Sequence, residues 1–231
     1  MSQRPLTLAE AVKLLRKRYG SPAPPPTDDP FELILWENVA YLASPTRRRE
    51  AFEQLKRTVG MNPGAILAAE PSDLEGVTGH GILKESFADK LRECARILVE
   101  DFRGDLGKVI RGPLNEAKKG LRSFPGIGEP GAEKILLFTG QLAQLAPESN
   151  GLRVLVRLGL VPEAKSYSKM YTASRQVAKS LRQQSSVMRE AHVLLGEHGR
   201  TLCKHSAPRS ELCPLARGWA YVQSEQLGAR P

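Results

Sequence analysis

One stretch decides the fold of this chain: Phe124-Pro125-Gly126-Ile127-Gly128-Glu129-Pro130-Gly131-Ala132-Glu133-Lys134-Ile135-Leu136. A helical segment, Leu114 to Leu121, precedes it, and an apolar-periodic helix begins at about Glu129. Gly126 and Gly128 permit a tight hairpin with outward-pointing N–H groups, because no Cβ blocks positive φ or close approach. The following helix adds unpaired N–H groups and the positive end of its dipole. The stretch therefore predicts a phosphate site that reads no base sequence.

This pattern is typical of a helix-hairpin-helix, a module that binds a DNA backbone, here over residues 114–136. The predicted DNA contacts lie along the hairpin and the start of the next helix, at Pro125, Gly126, Ile127, Gly128 and Gly131, with the amides of Gly126, Gly128 and Gly131 as the donors. A Pro-Gly-x-Gly turn alone is a weak signal, and the alternative is an ordinary turn between two helices.

Charge and composition indicate the class of partner. The 231 residues carry 34 basic and 25 acidic side chains, a net charge of +9, which suits a polyanion. Three cysteines are too few for a disulfide scaffold and favour a reducing cytoplasm. No apolar run is long enough to cross a membrane, and Met1 to Pro5 do not open a signal peptide. We expect a soluble cytoplasmic protein, nucleoid-associated if bacterial, with no membrane partner.

The periodicity of the chain is helical throughout, so the predicted class is all-α. Apolar residues dominate a predicted helix over Phe31–Ala43, which we expect to be almost entirely buried. Glu37 and Asn38 lie in its middle, and a buried carboxylate is costly unless it is paired or functional. Further helices are predicted at Thr46–Val59, Pro63–Ala69, Lys84–Phe102, Glu129–Leu145, Leu152–Leu158, Ser166–Leu181 and Val187–Glu197, with Pro71 as a break.

Three motifs in order carry a resemblance over nearly the whole chain, from Pro30 to Cys213. They are Phe124-Pro125-Gly126-Ile127-Gly128, then Glu148-Ser149-Asn150-Gly151-Leu152-Arg153-Val154, then His198-Gly199-Arg200 followed by Cys203. In this respect the chain resembles the endonuclease III superfamily, the helix-hairpin-helix/Gly-Pro-Asp DNA glycosylases. The resemblance implies a two-lobed fold. Residues 30–146 would form a six-helix barrel, and residues 1–29 with 147–231 a second lobe, with the DNA cleft between them.

Two departures from the family pattern concern catalysis. The lyase lysine that follows the hairpin is replaced by Pro130, which has no amine to form a Schiff base. Lys134 is one turn further along and is expected to point elsewhere, so no efficient lyase step is predicted. The acid of the second motif is Glu148 instead of aspartate, and its carboxylate would stabilise the sugar cation or orient a water. The alternative for Glu148 is a plain helix cap.

The family's iron–sulfur loop is also altered. Its four cysteine positions correspond here to Cys203, Ser210, Cys213 and Trp219, in a degenerate loop over residues 203–219. Two thiolates are missing, so we expect no iron–sulfur cluster and no other cofactor or metal. Zinc on Cys203, His205 and Cys213 is the alternative, although their spacing matches no known zinc finger. Trp219 is expected to fill the vacated volume.

Further site residues follow from the resemblance. Glu37 corresponds to the glutamate that protonates the leaving base in the adenine glycosylases of the superfamily, and desolvation favours the protonated carboxyl that a general acid needs. The alternative is a Glu37 that is paired with an arginine such as Arg153. Leu83 corresponds loosely to the wedge that fills the space of a flipped base, and Lys84 and Asn150 are further predicted DNA contacts.

The sequence thus predicts a monomeric protein that binds double-stranded DNA. The leading interpretation is a monofunctional DNA N-glycosylase of base excision repair, with Glu37 and Glu148 as its catalytic pair. The competing interpretation is a catalytically inactive protein of the same fold that binds a DNA structure or a lesion. A weak lyase that acts through another amine is a third reading.

Overall fold

The computed structural model of the chain describes residues 5–218, and the predicted Trp219 plug lies outside them. Within this range all regular structure is helical, which confirms the all-α class. The α-helices are α1 Leu8–Tyr19, α2 Pro30–Asn38, α3 Pro45–Thr58, α4 Pro63–Ala68, α5 Pro71–Thr78, α6 Lys84–Phe102, α7 Gly107–Ile110, α8 Leu114–Leu121, α9 Glu129–Phe138, α10 Ser149–Arg157, α11 Tyr167–Ala178 and α12 Ser185–Thr201. Two short 3-10 turns follow, Ser210–Leu212 and Ala216–Gly218.

The helices divide into two compact units. One comprises residues 25–141 and contains α2 to α9. In it the long helix α6 packs against α2, α4 and α5, while α9 packs against α2 and α8. The other comprises residues 1–24 and 142–231, and in its described part α12 packs against α1 and α10. Each unit has its own apolar core, which is what positions the polar residues discussed below.

Capping residues and prolines set the starts of the helices in the first unit. Asp29 accepts hydrogen bonds from the N–H groups of Phe31 and Glu32, both at 2.9 Å, and so caps α2 ahead of Pro30. Ser44 and Asn62 cap α3 and α4 in the same way, each before a proline. Proline fits the first turn because its missing N–H would have no helical partner there. For this reason Pro71 begins α5, and its prediction as a break was wrong.

The predicted burial of 31–43 holds for only part of that segment. Its first eight residues lie in α2, which ends at Asn38, and Val39 and Ala40 remain in the core. Leu42 instead adopts φ 54° and is 71% exposed, so its predicted burial was wrong. The reason is that α3 begins at Pro45, and the chain must turn before it. Within residues 5–218, no helix is long and apolar enough to span a membrane.

Candidate functional site

The hairpin between α8 and α9 is anchored by its apolar side chains. Phe124 is 2% exposed and stacks on Phe102 with ring centroids 5.4 Å apart. Ile127 is 4% exposed, and its N–H closes the turn on the Phe124 carbonyl at 3.2 Å. Because its side chain is buried, Ile127 offers a ligand only its backbone. Gly126 takes the positive φ that the sequence predicts, at 78°, whereas Gly128 has φ −83°, which any residue can adopt.

Helix α9 begins at the hairpin without a side-chain cap. Gly128 occupies the N-cap position and has no side chain to accept from the first-turn N–H groups. Glu129, Pro130 and Gly131 form the first turn, and the N-cap makes no side-chain hydrogen bond to it. An uncapped N-terminus with a positive dipole end can bind an anion through its backbone. The hairpin therefore has the local geometry of a phosphate site.

Asn38 braces the hairpin from α2. Its side chain is 1% exposed, and Nδ2 donates to the carbonyl oxygens of Ile34 and Pro125, both at 3.1 Å. Its Oδ1 lies 2.6 Å from the place where a Cβ on Gly126 would stand. No real Cβ contact is this short, so position 126 must be glycine while Asn38 keeps this orientation. The buried polar residue of α2 thus fixes the backbone of the hairpin.

Glu37, the predicted acid, forms an ion pair with Lys134. Lys134 Nζ donates to Glu37 Oε2 at 2.5 Å, and each side chain is 17% exposed. Lys134, which was predicted to point away from the lyase position, thus contacts the predicted acid. The alternative of an arginine partner was wrong, because Arg153 donates to the carbonyl oxygens of Gly199 and Cys203. Glu37 and Asn38 link α2 to the hairpin and to the helix that follows it.

Four exposed side chains form what we term the apolar tip: Tyr41, Leu42, Ile82 and Leu83, which are 39%, 71%, 52% and 59% exposed. The two loops that carry them are joined by a hydrogen bond from the Ile82 N–H to the Tyr41 carbonyl at 3.1 Å. Leu42 and Leu83 both adopt left-handed backbone, with φ 54° and 57°. Left-handed leucines are strained, and such strain clusters at ligand sites.

The ring of Tyr41 gives the tip a rigid base. It stacks on Phe87 with centroids 4.7 Å apart, and the Lys90 ammonium lies 3.8 Å from the Phe87 centroid. Leu83 was the predicted wedge residue, whereas Leu42 was missed. Lys84, a predicted DNA contact beside the tip, pairs with Glu75 at 3.2 Å.

Glu148 lies at the N-cap position of α10, but its side chain does not cap the helix. The alternative of a plain helix cap was therefore wrong. Its carboxylate accepts instead from Arg200 Nη1 at 2.5 Å, and Arg200 Nη2 also donates to Glu197 at 3.0 Å. Gly196 makes room for this arrangement, because a Cβ there would stand 2.6 Å from Glu148 Oε1. The carboxylate is 31% exposed and so remains within reach of a ligand.

The second and third motifs of the sequence thus meet in one place. Arg200 of the third motif holds Glu148 of the second, and Gly199 lies so close to Asn150 that an added Cβ would be 2.3 Å from its carbonyl oxygen. Asn150 Oδ1 accepts from Arg153 Nη2 at 2.7 Å, so this oxygen of a predicted DNA contact is already occupied. Arg200 was missed as a site residue, although its motif was recognised.

The degenerate loop that begins at Cys203, which we term the closing loop, is contacted by Arg157 and by His198. Arg157 donates to the Cys203 thiol at 3.3 Å and to the carbonyl oxygen of Lys204 at 2.7 Å. The Cys213 sulfur lies 3.3 Å from Nε2 of His198, whose Nδ1 lies 3.0 Å from the Tyr19 hydroxyl. Burial raises the pKa of Cys213 to about 11 and, with the nearby Arg18, lowers the pKa of His198 to about 4.

This loop does not fit a four-iron cluster. Only two of the four positions are thiols, and Ser210 begins a 3-10 turn. Across residues 5–218, no three histidine, cysteine or acidic side chains lie close enough to hold a metal ion. His205, the zinc ligand in the alternative reading, is exposed.

The fold is that of known proteins. An endonuclease III in a non-covalent DNA complex aligns with 96% of this chain, and the alignment covers 99% of its own length, with a TM-score of 0.76 and 16% sequence identity. A thermostable thymine-DNA glycosylase matches 94% of this chain and 95% of its own, with a TM-score of 0.74 and 14% identity. The chain has the endonuclease III-like helix-hairpin-helix glycosylase fold. The resemblance found in the sequence is confirmed at this level.

Sequence comparison agrees with the fold. The "Putative DNA repair glycosylase MJ1434" of Methanocaldococcus jannaschii is 21% identical over 214 residues, 88% of this chain and 91% of that protein. No protein-family model matches the chain. At these identities the comparisons establish a fold shared with DNA glycosylases, and the activity has to be argued from the site itself.

Proposed function

We propose that the protein is a monofunctional DNA N-glycosylase of base excision repair, which acts as a monomer on double-stranded DNA in the cytoplasm. The observation that carries this proposal is that the Glu148 carboxylate pairs with Arg200 and does not cap its helix. A carboxylate at an N-cap position would normally accept from the helix N–H groups. Here it is held away from them by Arg200, and Gly196 leaves space for it. Such a carboxylate suits the stabilisation of an oxocarbenium-like sugar.

The DNA-binding surfaces support the same proposal. The uncapped start of α9 and the Asn38-braced hairpin suit a phosphate. The apolar tip, with its two left-handed leucines, suits insertion into a base stack from which a nucleotide has been flipped.

Glu37 is the proposed general acid for the leaving base. In the ion pair with Lys134 its Oε2 accepts a hydrogen bond from the lysine. In this proposal, DNA binding separates Lys134 from Glu37, and Glu37 takes up a proton from water, which it then passes to the leaving base. The absence of an amine at position 130 makes the proposed enzyme monofunctional.

No cofactor enters the proposed reaction. The two thiols of the closing loop contact Arg157 and His198. We expect purified protein to be colourless, and absorbance near 400 nm would contradict this part of the proposal.

The Glu37–Lys134 ion pair favours a second candidate. If it persists on DNA, the protein is a lesion-binding protein of this fold without catalysis. Duplexes with uracil, hypoxanthine, 8-oxoguanine opposite adenine, alkylated bases or an abasic site separate the two candidates. Base release that Glu37→Gln and Glu148→Gln both abolish would establish the glycosylase. Lesion-selective binding without release on any duplex would establish the binding protein.

A further inference from the structure

Helix α3 begins with an unusual concentration of positive charge. Its first turns contain Arg47, Arg48 and Arg49, which we term the arginine triplet, and no acidic residue lies in the first turn. The N-terminal end of a helix is the positive end of its dipole, where acidic side chains are stabilising and basic ones are not. The dipole therefore does not stabilise three adjacent arginines at this end, whereas a bound anion would be stabilised there.

Trp36 holds two of the three arginines in place. The guanidinium carbons of Arg48 and Arg49 both lie 5.8 Å from the centroid of its ring. The ring is 9% exposed and packs edge-on against Phe52 with centroids 5.5 Å apart, so it is a fixed surface. Stacked guanidinium groups lose little freedom when they bind a phosphate. Arg48 Nε is buried without a hydrogen-bond acceptor among the described residues.

Helix α2 connects the arginine triplet to the hairpin. Trp36, beneath the triplet, and Asn38, which braces the hairpin, are two residues apart in this helix. Two residues correspond to about 200° of rotation around an α-helix, so the two side chains leave α2 on opposite sides. The hairpin and the triplet therefore lie on different sides of one helix within one compact unit, as two separate surfaces.

The triplet also lies close to the apolar tip along the chain. Leu42 of the tip precedes Arg47 by five residues, so their Cα atoms are at most about 17 Å apart. A duplex that is penetrated at Leu42 has backbone phosphates on both sides of the opened step. Arg47 is exposed, and no acidic partner for it is found among the described residues.

We propose that the arginine triplet binds the phosphodiester backbone of double-stranded DNA, as a second phosphate site in addition to the hairpin. This inference rests on the proposed DNA-binding function and deepens it. Bidentate guanidinium groups match the geometry of phosphate oxygens, and each neutralised phosphate releases counterions. The triplet thereby contributes to the salt dependence of binding and carries no base specificity.

The test is the salt dependence of binding to a duplex with an uncleavable abasic-site analogue, followed by fluorescence anisotropy between about 50 and 300 mM salt. The slope of log K against log salt is negative. The variant Arg47→Gln/Arg48→Gln/Arg49→Gln should make it shallower by about 2.7, which is about 0.9 for each lost phosphate contact. Arg47→Gln alone should make the slope shallower by about 0.9. It leaves the Trp36 stack intact, and so guards against misfolding of the triple variant.

The matched control removes three exposed charges elsewhere in the same unit, in Lys56→Gln/Arg57→Gln/Arg103→Gln. Its slope should remain that of the wild type. Equal slopes for the wild type and both triplet variants would overturn the inference and leave the proposed function standing. A wild type that binds no duplex would overturn both. The same titration with an RNA duplex tests the choice of ligand. If the triplet substitutions made the slope shallower for RNA but not for DNA, DNA would not be the ligand of the triplet.

Discussion

Lys134 Nζ donates to Glu37 Oε2 at 2.5 Å and so joins the helix after the hairpin to the acidic residue of α2. Lys134→Met leaves a carboxylate that is 17% exposed without its partner. We expect the free energy of unfolding to fall by about 1–2 kcal/mol, between the values for exposed and buried pairs. The double variant Glu37→Gln/Lys134→Met should recover most of this loss. Urea unfolding of the wild type, Lys134→Met, Glu37→Gln and the double variant measures the coupling, and additive losses would contradict it.

The same pair affects lyase chemistry, because an amine that is engaged with a carboxylate is less available as a nucleophile. Borohydride treatment of the wild type with abasic DNA should yield no covalent adduct. An adduct that disappears in Lys134→Met would show instead that Lys134 attacks the sugar, and the protein would then be a lyase.

Gly126 of the hairpin and Gly131 of α9 differ in how well they tolerate a side chain. Gly126→Ala places a Cβ 2.6 Å from Asn38 Oδ1 at φ 78°. The left-handed backbone alone costs about 1–2 kcal/mol, and the shift of the hairpin should weaken DNA binding. Gly131→Ala, in α9, meets Ile127 at an ordinary 3.5 Å and should gain up to about 1 kcal/mol of stability. Urea unfolding and duplex binding check both variants, and equal effects would refute the role of Asn38.

The sequence predicted the local features of this site better than its pairings. Glycine spacing identifies the hairpin, because turn geometry is local. The partners of Glu37 and Glu148 lie 97 and 52 residues away along the chain, and nothing in a single sequence joins residues at such separations. Leu42 was missed for another reason. An apolar residue within an apolar run reads as core, although Ser44 and Pro45 already signal a new helix.

Gly196→Ala moves Glu148 without removing it. The new Cβ would stand 2.6 Å from Glu148 Oε1, the end of a flexible side chain, so the carboxylate can shift at little cost. Alanine also gains helix propensity within α12, so stability should be unchanged or higher by up to about 1 kcal/mol. A displacement of about 1 Å at a catalytic group can cost roughly a hundredfold in rate. We therefore expect base release to fall roughly a hundredfold in a fully folded protein.

The control for this variant is the same substitution in the Glu148→Gln background. There Gly196→Ala should cause no further loss of base release, because the carboxylate it displaces is already gone. An additional loss in that background would mean that position 196 acts through some other group.

His198 makes the stability of its unit depend on pH. The buried imidazole, 0% exposed, has its pKa lowered from 6.5 to about 4 by desolvation and by the charge of Arg18. Between these two values the unfolded chain binds a proton that the native protein does not bind, so stability falls as the pH falls. The loss approaches about 3 kcal/mol at pH 4 and is absent above about pH 7.

Denaturant unfolding at several pH values, compared between the wild type and His198→Gln, isolates this contribution. The variant loses the hydrogen bond to Tyr19 and is less stable at neutral pH, but its stability should decline less steeply below pH 6.5. His205→Gln, at an exposed position, serves as the control and should follow the wild-type curve. Parallel curves of stability against pH for the wild type and His198→Gln would contradict this prediction. They would mean that the native imidazole is protonated as readily as in the unfolded chain, despite its burial between Tyr19 and Cys213.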